Sequence, residues 1–74
     1  MNPTKKVLKN KRLVSYLMDM PKKIAMVTVG RKTVVAQVTK SFLPSDLPGL
    51  VDAIGQEPRA ATQDGINYII FNRF

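Results

Sequence analysis

Seventy-four residues without Cys, His or Trp, with a net charge of +7 and a pI near 10.2, describe one small basic domain. The composition excludes disulfide staples and Cys/His zinc sites. It also withholds the imidazole and thiolate on which most acid–base and nucleophilic chemistry near neutral pH relies.

Charge is divided unevenly along the chain. Residues 1–40 hold ten Lys and Arg against Asp19 alone, a net of +9; residues 41–74 hold Arg59 and Arg73 against Asp46, Asp52, Glu57 and Asp64, a net of −2. Charge serving only solubility would be interspersed. Segregation of this kind points to a polyanionic partner: nucleic acid, an acidic protein surface or an anionic membrane.

In chain order, MNPTKK is polar with an early Pro and leads into KKVLKNKR, Lys5 to Arg12, five cations in eight residues with no acid. Residues 1–11 read as a flexible basic arm, and residues 12–74 as the domain. Over 12–19 the period admits two readings. Leu13, Tyr16, Leu17 and Met20 keep helical spacing, while Val, Tyr and Ser also suit a strand. Pro21 ends either element, because its ring disfavours helical geometry at Met20. LVSYLM is too short for the apolar stretch of a secretory signal and far short of a membrane span of roughly 18 residues, and MDMPKK is unlike a small-residue cleavage site. The chain is expected to work in the cytoplasm.

KIAMVTVGRKTVVAQVTKSF predicts a β-hairpin. With Gly30-Arg31 as a two-residue turn, Val27 lies opposite Val34, Ala25 opposite Ala36, Thr28 opposite Thr33 and Met26 opposite Val35. LPSDLPGLVDAIG predicts a short helix: Ser45 or Asp46 as cap, Pro48 in the first turn, an apolar stripe of Leu47, Leu50, Val51 and Ile54, and Gly55 as left-handed stop. QEPRAATQDG reads as a loop with a short strand at residues 60–62 and a turn at Asp64-Gly65. INYIIFNRF reads as a strand with Ile66, Tyr68 and Ile70 on one face and Ile69 and Phe71 on the other, the pattern of a strand central in its sheet. The expected fold is α+β: a small antiparallel sheet (the hairpin plus the C-terminal strand), one short helix, and the basic N-terminal arm.

Nothing in the sequence assembles a catalytic site. Ser15, Ser41 and Ser45 have no His to activate them, Asp46 and Asp52 stand too far apart on a short helix to pair, and VGRKT lacks the glycines of a phosphate loop. The acids are too scattered for a calcium loop. The expectation is a non-enzymatic protein with no cofactor, metal or small-molecule ligand.

Binding is left. One candidate contact is the arm Lys5, Lys6, Lys9, Lys11 and Arg12, with Lys22 and Lys23 behind it; the other is the hairpin tip Arg31-Lys32. Neutralising several phosphates would give binding a steep salt dependence, and a basic ribbon tip is a shape that enters nucleic-acid grooves. Against base readout, none of the five aromatics (Tyr16, Phe42, Tyr68, Phe71, Phe74) interleaves with the arm, and Phe42 and Phe71 fit core positions. Residues 5–20 could also form a basic amphipathic helix, but Leu13 to Met18 is apolar nearly all round, which argues against a membrane surface. The hairpin's long, charge-poor strands raise a further question. An unpaired edge could accept an extended peptide, unless the N-terminal segment or the last strand covers it.

In size, charge and element order, with KKVLKNKR, VTVGRKTVV and INYIIFNRF in sequence, the chain resembles the small lytic-phage transcription regulators that bind host bacterial RNA polymerase. Within that class it is most similar to the kind that binds near the N-terminus of the largest catalytic subunit. The resemblance implies inhibition of initiation through σ-factor displacement, antitermination activity, and residence in the host bacterial cytoplasm. Proteins of that class are commonly acidic or neutral, so the positive charge here keeps direct contact with a DNA or RNA backbone as the alternative.

Overall fold

Between Thr4 and Met20 the sequence holds neither Gly nor Pro, and Lys, Leu, Met and Arg are good helix formers. The computed structural model, which describes residues 4–74, accordingly places helix α1 at Thr4–Met18. This corrects the expected flexible arm. Lys5 to Lys11 are helical and continuous with the domain, and of the expected arm residues 1–3 lie outside the described residues. Tertiary packing decides between the two periods left open for 12–19: Leu13 and Leu17, one turn apart, are fully buried against the sheet. The single helix of the expected fold becomes two.

The chain continues through β1 (Ile24–Val29), β2 (Thr33–Val38), a 3-10 turn (Pro44–Asp46), α2 (Leu47–Ile54), β3 (Arg59–Gln63) and β4 (Ile66–Asn72). The strands form one antiparallel sheet in the order β1-β2-β4-β3. The α+β class therefore stands, and β4 is central, as its two apolar faces require. Gly55 ends α2 in the left-handed conformation, its N–H donating to Val51 O at 2.7 Å. Asp64 and Gly65, both at positive φ, make the primed turn that joins β3 to β4, with Gln63 opposite Ile66. β3 extends one residue beyond the expected 60–62 at each end.

The β1–β2 hairpin forms, but two residues off the expected register. Val27 pairs with Ala36, Thr28 with Val35 and Val29 with Val34. Gly30 N–H donates to Thr33 O at 2.8 Å, so the turn residues are Arg31 and Lys32, and neither has positive φ. A shift of two preserves which face each side chain takes. An irregularity at Ala25 then lets Ile24 pair with Val38 and share the buried face with Val27. Ile24 is buried in place of the smaller Ala25.

All the buried residues sit on one side of the sheet: Leu13 and Leu17 from α1, Leu50 from α2, and Ile24, Val34, Ala36, Ile69 and Phe71 from the strands. Two helices thus cover one face. Val35, Tyr68 and Ile70 lie half-buried on the other. Among the described residues no helix is long and apolar enough to cross a membrane.

Candidate docking surface

α1 fixes where the basic residues point. Lys5, Lys9, Arg12 and Tyr16 recur at intervals of three and four and share one face, beside Leu8. Leu13 and Leu17, about a quarter-turn round the helix, face the sheet and are fully buried. Lys5, Leu8, Lys9 and Arg12 line a shallow surface hollow, and Leu8 is 58% exposed. The sequence reading that no aromatic interleaves with the basic residues is corrected here. Tyr16 lies on the same helix face, 41% exposed, and the Lys9 ammonium sits 5.5 Å from the centre of the Phe74 ring.

The C-terminal residues join this helix to the hairpin tip. Phe74 N–H donates to Asn10 Oδ1 at 2.8 Å, and Asn10 Nδ2 donates to Phe74 O at 3.3 Å. One residue earlier, Arg73 N–H donates to Lys32 O at 2.9 Å, and its guanidinium donates to Gly30 O at 3.0 Å. The two basic segments picked from sequence, on α1 and at Arg31-Lys32, are thereby fastened to adjacent residues of one strand end. Gln56 completes the end of that strand from the other side. Its amide accepts from Asn72 N–H at 2.6 Å and donates to Asn72 O at 2.9 Å, standing in for a strand residue beyond Arg59.

Lys22 and Lys23 do not join this surface. They follow the C-terminus of α1, about 22 Å along a 15-residue helix from its start. Lys23 is moreover engaged, its Nζ 2.7 Å from Asp46 Oδ1, the one ion pair among the described residues. Asp46 Oδ2 accepts Leu43 N–H at 2.8 Å. Those two hydrogen bonds, the one from Lys23 first, hold the Asp46 carboxyl below its ordinary value. Asp46 reaches back to Leu43 and makes no side-chain bond to the start of α2, so the expected capping role is revised.

Helix electrostatics do not explain the cations of α1. Its first turn carries Lys5 and Lys6 and no acid, its last turn carries no base, and Asp19 follows directly. Cations at the positive end of a helix cost stability, a few tenths of a kcal/mol or more each. Lys5 and Lys6 therefore stand where helix stability alone would not place them. Asn10, Arg73 and Phe74 were not singled out as site residues from sequence, since their roles depend on residues 73–74 returning to α1 and the hairpin tip, and Tyr16 was not, since its place beside Arg12 exists only once both are helical.

Neither protein-family models, nor curated proteins, nor solved structures yield a match to this chain.

Proposed function

We propose that the chain is a non-enzymatic transcription regulator that docks on bacterial RNA polymerase through the exposed face of α1 and the adjoining hairpin tip. In this reading Lys5, Lys9 and Arg12 meet an acidic surface of the N-terminal region of the largest subunit. Lys6, Lys11, Arg31 and Lys32 widen the positive field that steers the encounter. Occupation of that surface displaces σ factor, inhibits initiation and favours read-through of terminators. The observation that carries the choice of a protein partner is the placement of exposed Leu8 and Tyr16 among the cations. A protein interface has an apolar or aromatic centre within a charged rim, whereas a phosphate backbone offers nothing for Leu8 to bury against.

The test uses purified polymerase core and holoenzyme after nuclease treatment. Retention on the immobilised chain is expected, with loss on combining Lys5→Gln, Lys9→Gln and Arg12→Gln and clear weakening by Leu8→Ala. Added chain should also reduce run-off transcript from a σ-dependent promoter. Failure to retain either form of the polymerase ends the reading.

A second reading is direct contact with a nucleic-acid backbone, favoured by Arg31 and Lys32 at the tip of a ribbon fixed beside the basic helix. It expects free duplex to bind with a log–log salt slope of about −0.9 per phosphate contacted. Affinity for duplex would then be indifferent to Leu8→Ala.

A further inference from the structure

A different flank of α1 faces the sheet edge. β1 pairs only with β2, and the last strand lies against β2 on its far side, so the outer edge of β1 has no strand partner among the described residues. Gly30 N–H bonds to Thr33 across the hairpin. By the alternation of an antiparallel ladder, Val29 and Val27 then direct their N–H and C=O groups outward, away from β2. Among the described residues no backbone hydrogen bond outside the hairpin ladder uses either residue.

Alongside this edge, two adjoining hollows of 440 and 360 Å³ share Val14 and Val29 as walls and run between α1 and β1. Their apolar lining is open to solvent: Val7 is 49% exposed, Val29 52%, Met26 59% and Met18 64%. The groove is charged at its ends. Lys11 and Arg73 border it beside the hairpin turn, while at the other end Pro21 separates it from a hollow lined by Asp19, Lys22 and Lys23.

We infer that this groove receives an extended peptide of a partner protein, added as a strand antiparallel to β1, with acidic residues at its N-terminal end beside Lys11 and Arg73. The backbone edge supplies two donors and two acceptors, the apolar walls take alternate aliphatic side chains, and the two cations fix direction. The irregularity at Ala25 limits the added strand to a few residues, because it breaks the edge before Ile24. Charge argues against a second copy of this chain as occupant. Two copies would bring together chains that each carry a net +7, and neither offers an acidic strand end to Lys11 and Arg73 of the other. The site does not depend on the polymerase reading: it uses the flank of Val7, Val14 and Met18 and not the face of Lys5, Lys9 and Arg12, and shares only the cation Lys11 with the field proposed there.

The experiment uses the full chain and a fluorescein-labelled heptapeptide of two N-terminal acids followed by alternating valine and threonine. Two methylated forms carry N-methyl groups on one or the other alternate set of backbone amides, which leaves the protein unaltered. The unmethylated peptide should bind at one per chain and shift the amide resonances of Val27 and Val29. One methylated form should bind about fivefold more weakly per blocked bond and the other nearly normally. Moving the acids to the peptide's C-terminus, or making Arg73→Gln with Lys11→Gln, should weaken binding, while combining Lys5→Gln, Lys9→Gln and Arg12→Gln should not. Equal response to both methylation patterns, absence of binding, or formation of a chain dimer in place of the peptide complex would each overturn the inference.

Discussion

Asn10 holds Phe74 with both ends of its side-chain amide, accepting Phe74 N–H at 2.8 Å and donating to Phe74 O at 3.3 Å across 64 positions of sequence. One side chain on α1 therefore anchors the strand end that also fastens the hairpin tip through Arg73. Asn10→Ala should cost about 1 kcal/mol, the net worth of a partly buried hydrogen-bonded pair, and lower the melting temperature by about 5 °C. Hydrogen exchange at the Arg73 and Phe74 amides should accelerate well beyond that at Ile69. If exchange at those two amides does not change, Asn10 is not the anchor.

The core is small enough for single positions to decide folding. Leu13 and Leu17 have no exposed surface, and α1 attaches to the sheet chiefly through them. Leu13→Ala or Leu17→Ala should destabilise by about 2–5 kcal/mol through lost burial and residual cavity, which at this chain length leaves little folded protein. Leu8→Ala, on the exposed face of the same helix, should change the denaturation midpoint hardly at all. Urea unfolding followed by circular dichroism separates them.

How much of this was legible from residues alone depended on how local the deciding interaction was. Gly55 and Asp64-Gly65 act within their own turns, and both turns form where the sequence placed them. Ile69 and Phe71 alternate with Ile70 on a two-fold period, so the faces of β4 were readable. The hairpin's faces were readable for the same reason, whereas its register was not. The tip is held by Arg73, 43 positions beyond Gly30, and no local pattern reports that. The cations proposed for docking were visible as residue types. Their common face with Leu8 and Tyr16 was hidden as long as residues 1–11 read as an arm, because a side-chain stripe exists only once the helix does.

Acid titration isolates the Lys23–Asp46 contact. Asp46 has its folded-state value depressed by the hydrogen bonds from Lys23 and Leu43 N–H. The stability it contributes is therefore complete above the unfolded-state value and is lost as pH falls through the folded one, below about pH 4. Asp46→Asn should flatten the acid limb of the stability curve in that window and leave the curve's shape above pH 5 unchanged. Since the pair is partly exposed, added salt should shrink the difference. An acid limb identical in the two proteins would show that the contact does not form in solution.

Charge reversal at the start of α1 should separate stability from docking. Lys5 and Lys6 lie in the first turn, where the helix dipole favours an acid, so Lys5→Glu or Lys6→Glu should stabilise the fold by about 0.3–1 kcal/mol at low salt. Lys5 also lies on the face proposed for docking, and Lys5→Glu places an acid against an acidic partner, so affinity should fall by tenfold or more even as the melting temperature rises. Opposite movement of the two measurements is the signature of cations kept for contact at the expense of the helix. A variant that gains stability and binds as before would mean that Lys5 takes no part in the interface. One that loses stability would mean that the first turn of α1 is held by interactions stronger than its dipole.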